Sequence, residues 1–361
     1  MDNEFVTRTN KRSVLFTNTD LQDQILPISL FEECIKETVI GQDEAVRSVI
    51  TSMYASYYFW IPCVDLIIGG SGCGKTLLIS TICKEMGLPF TIEQATQYSE
   101  EGYVGLDTSD MLAHVFSKSD NDLSIAEEGI LAIDEICKKK KDDANSRDVS
   151  GEGVQNALLG ILSGATVQFQ LDKLSRAIPF DTKKLKIFLM GAFDGIDEIR
   201  KKRLSTGTKI GFNANVATEV DNTIPTDLSL RSTFYTNDDL IEYGLIPEFV
   251  GRIRRVHVMN PMTVETLIRI LKESKESCFL RYERALFKEK NIRLKYSDAL
   301  FRNIAKKVLI SNTGARDLDR TVNYIFEDII YQTCNTSSSI NVIHLFDDIV
   351  DNNKRYKIYK R

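Results

Sequence analysis

Apolar and polar positions change period several times along the chain. Over residues 42–58, Ala45, Val49 and Met53 recur every four positions, which places them on one face of a helix. Cys63-Val64-Asp65-Leu66-Ile67-Ile68 is a short, almost wholly apolar run of strand length. A glycine-rich stretch follows it, and then an apolar helix to about Met86. Phe90-Thr91-Ile92, residues 129–133 and residues 185–190 read as three more strands. Strands that are apolar throughout, separated by helical stretches, predict an α/β fold with a buried parallel sheet under helices on both faces. The character changes after Asn260-Pro261. Thr263 can cap a helix carrying Val264, Leu267, Ile268 and Leu271 at i, i+3, i+4 and i+7. A second helix is predicted over 297–310. A third starts near Ala315 with Leu318, Val322, Ile325 and Ile329 on one side, and residues 340–345 read as a strand. Three regions result: a weakly patterned arm over 1–37, a large domain over 38–259, and a smaller, mostly helical domain over 260–361.

Composition narrows the function classes. With 361 residues, 43% hydrophobic and 27% charged, wholesale disorder, a collagen and a small disulfide scaffold are excluded. No apolar run approaches the roughly 20 residues a membrane helix needs. A formal net charge of −5 disfavours bulk nucleic-acid binding. The seven cysteines are odd in number and form no C-x-x-C pair, which argues against a zinc or disulfide framework and for a reducing compartment. The three histidines, His114, His257 and His344, form no ligand cluster, so they offer no metal site. Residues 1–19 lack the apolar core of a secretion signal. Lys138 to Lys141 read as a solvated loop after a strand.

The chemistry begins at Gly69-Gly70-Ser71-Gly72-Cys73-Gly74-Lys75-Thr76, which matches G-x-x-x-x-G-K-[ST] and is followed by Leu77. Glycines let backbone N–H groups wrap phosphate oxygens, and the helix that opens there adds its positive end. Lys75 is placed for the β- and γ-phosphates, and Thr76 for Mg²⁺. The apolar strand Ile130-Leu131-Ala132-Ile133 ends in Asp134-Glu135. An acid at that strand end can hold Mg²⁺ through water. A second acid beside it can activate the attacking water. The pairing points to hydrolysis of a nucleotide γ-phosphate.

Further motifs are Val39-Ile40-Gly41-Gln42, Gly102-Tyr103-Val104-Gly105, the run from Arg147-Asp148 to Gln155, Ile210-Gly211-Phe212, Gly244-Leu245-Ile246-Pro247-Glu248-Phe249-Val250-Gly251-Arg252 and Thr313-Gly314-Ala315-Arg316. In this order the set resembles the ClpX family of AAA+ unfoldases, which feed the ClpP peptidase. The resemblance runs to about Tyr331. It implies an AAA+ P-loop fold with a sensor-2 small domain, working as a homohexamer with ATP and Mg²⁺. It implies that Val39 and Ile40 pack around adenine and that Glu135 is the catalytic carboxylate. Arg252 becomes the arginine finger supplied to a neighbouring subunit, and Arg316 the sensor-2 arginine of its own subunit. Tyr103 and Val104 become the pore loop that grips a polypeptide, with Arg147 and Asp148 lining the channel. Ile210, Gly211 and Phe212 become the tip that docks on a ClpP-like peptidase. Unfolded or tagged proteins are the implied substrates, without nucleic-acid or membrane partners, in a bacterial cytosol or an organelle matrix.

Departures are also legible. No cysteine cluster precedes Gly41, so the family's N-terminal zinc-binding domain is not expected. Between Gly164 and Asp181 there is no Arg-Lys-His tripeptide, which weakens the case for the family's usual degradation tags. Gly70 stands where the family usually has proline. Met190-Gly191-Ala192 offers no Asn or Thr as sensor 1. Alternatives at this level are a remodelling motor without a peptidase, an HslU-like unfoldase, a nucleic-acid motor and an assembly scaffold with dead ATPase sites. An inserted domain after the Asp134-Glu135 strand would mark the HslU-like reading, and none is legible here.

Overall fold

The computed structural model describes residues 26–99, 106–141, 151–171, 175–207, 234–311, 314–335 and 340–360. Two compact units form. One takes in the described residues up to Ile35, Glu44–Gly70 and Lys75–Met259. The other takes in Lys36–Asp43, Ser71–Gly74 and the chain from Asn260 on.

The first unit is built on a five-stranded parallel sheet: β1 (Val64–Ile68), β2 (Phe90–Gln94), β3 (Ile130–Asp134), β6 (Lys186–Gly191) and β7 (Arg255–Val258), in the order β2-β3-β6-β1-β7. Every residue of β1, β3 and β6 is buried, as expected when helices cover both faces of a parallel sheet. Each fully buried Ile or Leu in these strands contributes about 1.5–3 kcal/mol. The helices are α1 (Ile28–Lys36), α2 (Asp43–Phe59), α3 (Lys75–Met86), α4 (Asp110–Ser117), α5 (Leu123–Glu127), α6 (Gly151–Leu162), α7 (Ile196–Gly207), α8 (Asn237–Tyr243) and α9 (Pro247–Val250). Ala45, Val49 and Met53 are buried on α2, as their spacing predicts.

Several elements escape the periodicity, among them β7 and a hairpin. β7 is four residues long and reads Arg-Val-His-Val; only its pairing with β1 makes it the fifth strand. The stretch between Gly164 and Asp181 contains an antiparallel hairpin of β4 (Thr166–Phe169) and β5 (Ile178–Asp181). Phe169 and Phe180 are buried in it, and Phe169 packs on Phe116 of α4.

A polar knot lies between β1 and β7. Asp65 and His257 are both fully buried, with His257 Nε2 3.0 Å from Asp65 Oδ2 and Nδ1 2.8 Å from Ser48 Oγ. Burial first, and the Asp65 carboxylate second, push the Cys63 thiol well above its ordinary value. It therefore stays protonated and can donate weakly to Asp65 at 3.7 Å. The serine, histidine and acid are sealed between core elements, so they are a packing network and not a nucleophilic triad. His257→Ala should lower the unfolding free energy by about 3–5 kcal/mol, because a buried acid loses its donor. The double change Asp65→Ile with His257→Ala should recover most of that loss. Urea denaturation of both variants checks it; equal losses would mean that the stranded Asp65 carboxylate is not the source of the cost.

The second unit has a core of four helices: α10 (Val264–Glu273), α11 (Cys278–Lys290), α12 (Asp298–Ile310) and α13 (Arg316–Asn335). Beside them lies a small sheet of β8 (Arg293–Lys295), β9 (Ile340–Leu345) and β10 (Tyr356–Lys360), ordered β10-β9-β8. Thr263 caps α10 by accepting from Thr266 N–H at 3.1 Å, and Ser297 caps α12. Leu318, Val322, Ile325 and Ile329 are buried on α13, as their spacing predicts. Phe279 meets Phe301 and Phe326 edge-on in the centre of this core. The helix α11 and the strands β8 and β10 are additions to the sequence reading. Among the described residues no helix is long and apolar enough to cross a membrane.

Candidate functional site

β1 ends at Ile68 and α3 begins at Lys75, so residues 69–74 form the tight connection between them. In register, Ile68 pairs with Gly191 and Ile133 with Leu189. The glycine loop after β1 and the acids after β3 therefore leave the same edge of the sheet, on either side of β6. Carboxyl ends of parallel strands are where open α/β sheets bind ligands.

Thr76 Oγ1 donates to Asp134 Oδ2 at 2.9 Å, joining the first turn of α3 to the end of β3. Lys75 is buried, and its Nζ donates to the carbonyls of Gly69 at 2.5 Å and Gly70 at 3.0 Å. The ammonium thus lies along the loop that α3 opens. Gly72 and Gly74 have φ of 70° and 100°, a region closed to most side chains, so the loop can turn its N–H groups inward. A Cβ at Gly70 would meet nothing within 4 Å, which fits the exchange of proline and glycine there.

Asp134 is buried, and its other oxygen accepts from the Glu135 N–H at 2.8 Å. Glu135 is left-handed at φ 60°, ψ 28° and starts the short turn Ile136–Lys139. A non-glycine residue held there costs about 1–2 kcal/mol and persists only where surrounding contacts enforce it. The kink ends the strand between the two acids and gives them different surroundings: Asp134 bonded and buried, Glu135 half-buried. These hard oxygen groups suit Mg²⁺. Among the described residues no group of three or more His, Cys, Asp or Glu could hold a metal by itself.

At the end of β6, Gly191 accepts from the Gly69 N–H at 3.2 Å. A Cβ at Gly191 would lie 2.8 Å from Phe193 Cε2 and 3.0 Å from Cys137 Sγ. That crowding leaves little room for a side chain at position 191.

Within the second unit, residues 71–74 are held by two segments. Gln42 Nε2 donates to the Cys73 carbonyl at 3.1 Å and the Asn260 carbonyl at 2.9 Å, and Gln42 Oε1 accepts from Asn260 N–H at 2.8 Å. Ala315 N–H donates to the Gly72 carbonyl at 3.1 Å. Gly314 has φ 62°, and a Cβ on it would come within 2.7 Å of the Ser71 carbonyl. The motif that carries Arg316 is thereby fastened to the glycine loop. Gln42 and Gly314 were visible only as letters of motifs; the contacts give each a task. Val39 and Ile40 are buried, whereas Leu77, Arg252 and Arg316 are exposed.

The expected channel residues Tyr103, Val104, Arg147 and Asp148 lie outside the described residues. So do Ile210, Gly211 and Phe212, residues 1–25, and Thr313. The lysine run corrects the sequence reading at one position. Lys138, Lys140 and Lys141 are exposed, but Lys139 is buried and donates to the Tyr98 carbonyl at 2.9 Å. The turn that begins at Glu135 folds its fourth residue back into the core, which no local charge pattern encodes.

Residues 63–256 match the model of the AAA domain (Cdc48 subfamily), and residues 262–338 match the C-terminal, D2-small domain, of ClpB protein. The ATP-dependent Clp protease ATP-binding subunit ClpX of Bacteroides thetaiotaomicron is 34% identical over 335 residues, covering 88% of this chain and 79% of that protein. The protein of the same description from Treponema denticola is 35% identical over 320 residues, covering 83% and 76%. A five-stranded parallel AAA sheet, a small helical unit and this similarity over most of both chains place the protein in the ClpX family of AAA+ proteins.

Proposed function

We propose that this chain is an ATP-driven protein unfoldase that works as a homohexameric ring and passes polypeptides to a ClpP-like peptidase. The observation that carries the reading is the Thr76–Asp134 contact beside Glu135, at the sheet edge where the glycine loop emerges. Residues 69–74 and the first N–H groups of α3 bind the phosphates of ATP, and Lys75 neutralises them. Thr76 and Asp134 hold Mg²⁺, which when bound offsets negative charge on the β- and γ-phosphate oxygens. Glu135 orients the attacking water and takes its proton. Val39 and Ile40 supply apolar surface for adenine. Arg252, exposed on its own subunit, serves the nucleotide of a neighbour, and Arg316 is the sensor-2 residue. Tyr103 and Val104 grip the polypeptide through non-directional contacts, Arg147 and Asp148 line the channel, and Ile210, Gly211 and Phe212 dock on the peptidase.

Degradation of an unstructured fluorescent protein tests this. The assay uses ATP and the peptidase of the same organism, and compares wild type with Phe212→Ala. Degradation should be lost in the variant while ATP turnover stays intact. ATP turnover without degradation in either protein would replace the reading with a stand-alone remodeller.

A further inference from the structure

Gln155 lies on α6, four residues past Gly151, with no exposed surface. Its amide joins two segments distant in sequence. Nε2 donates to the Lys139 carbonyl at 2.6 Å and, more weakly, toward the Gly244 carbonyl at 3.4 Å. Oε1 accepts from the Ile246 N–H at 2.8 Å. Beside it, Lys141 N–H donates to the Gly244 carbonyl at 2.8 Å. Gly244 has φ 117°, and a Cβ there would come within 3.0 Å of Lys140 Cβ. The two segments are pressed together with the amide between them.

Each segment leads by short backbone bonds to a candidate catalytic group. On one side Lys138 N–H donates to the Glu135 carbonyl at 2.9 Å. On the other, Phe249 and Val250 N–H donate to the Ile246 carbonyl, Gly251 N–H to Pro247, and Arg252 N–H to Phe249 at 3.0 Å. A ladder of backbone bonds therefore runs from the carbonyl of Ile246, the residue whose N–H Gln155 grips, to Arg252. The Glu135 side is also anchored independently, by Lys139 Nζ on the Tyr98 carbonyl and by buried Ile136 and Cys137. Apolar burial of Phe249 and Val250 fixes their depth in the core. The directional bond to Ile246 N–H fixes the register of the segment.

We propose that Gln155 is the positioning residue for Arg252: its amide sets the arginine against the turn that starts at Glu135. This rests on the reading of Arg252 as a finger that acts on a neighbouring subunit. One chain then holds Glu135 for its own nucleotide and Arg252 for the next, and Gln155 sets the offset between them.

Subunit mixing separates this role from simple support of the fold. Gln155→Met keeps the length and removes the amide. Alone it should hydrolyse ATP about 10²-fold more slowly, the scale of an ångström-level misplacement, with unchanged ATP affinity. Mixed with Lys75→Ala subunits, which carry a sound finger, it should recover hydrolysis. Mixed with Arg252→Ala subunits, it should not. Arg252→Ala mixed with Lys75→Ala is the control. If the control fails to recover, the finger in trans is wrong and this proposal falls with it. If the control recovers but Gln155→Met with Lys75→Ala does not, Gln155 serves only its own subunit and the proposal alone is overturned. Should Gln155→Met fail to fold, Gln155→Glu retains an acceptor for Ile246 N–H at the same length, and the same mixtures decide.

Discussion

Glu135→Gln should slow ATP hydrolysis by about 10²–10⁴-fold while nucleotide binding and assembly persist. The exchange keeps the size of the side chain and removes its basicity. The geometry separates the two acids. Both oxygens of Asp134 are engaged, by Thr76 Oγ1 at 2.9 Å and by Glu135 N–H at 2.8 Å. Asp134 is thus a fixed acceptor and suits a metal-holding role. Glu135 sits past the kink, half-buried, at the head of its own turn. Loss of Asp134 should therefore weaken Mg²⁺-dependent ATP binding, whereas loss of the Glu135 carboxylate should leave binding and remove turnover. Equilibrium binding of ATP alongside steady-state hydrolysis reads both. Turnover of Glu135→Gln near the wild-type rate would remove Glu135 from the reaction.

Arg252→Ala should lower hydrolysis by about 10³–10⁵-fold, the range an arginine finger supplies in other nucleotidases. Its guanidinium is exposed, and among the described residues no salt bridge neutralises it. An exposed cation on a ladder of backbone bonds is presented outward in a fixed place, which suits a group that acts on another copy. If, as proposed, the ATP it serves belongs to a neighbour, the affinity of each P-loop should change little and kcat should carry the loss. An equal loss of ATP affinity on dispersed subunits would place Arg252 in its own site and overturn the assignment.

How much of this was legible in the sequence depends on how local each feature is. The glycine loop, Lys75, Thr76 and the acids after β3 are contiguous motifs whose flanking apolar runs announce strand and helix. The buried parallel sheet follows from strands without polar alternation, and α10 and α13 from their spacing. β7 was not legible, because Arg255 and His257 make half of a four-residue strand polar; its strand character comes from β1 beside it. Lys139 was misread for the same reason: its burial depends on the carbonyl of Tyr98, 41 positions away.

The sequence by itself determined the chemistry and the family, since phosphate binding and hydrolysis need particular residue types at short, fixed spacings. Only the tertiary structure decided which side chains hold those motifs to one another. Gln42, Gly191, Gly314 and Gln155 are ordinary letters in a string. Each acquires its task from a partner far along the chain: the carbonyl of Cys73, the sulfur of Cys137, the carbonyl of Ser71, and the N–H of Ile246. A hydrogen bond or a forbidden Cβ depends on where two backbones meet. That meeting is fixed by burial of the whole core, which no short window of residues contains.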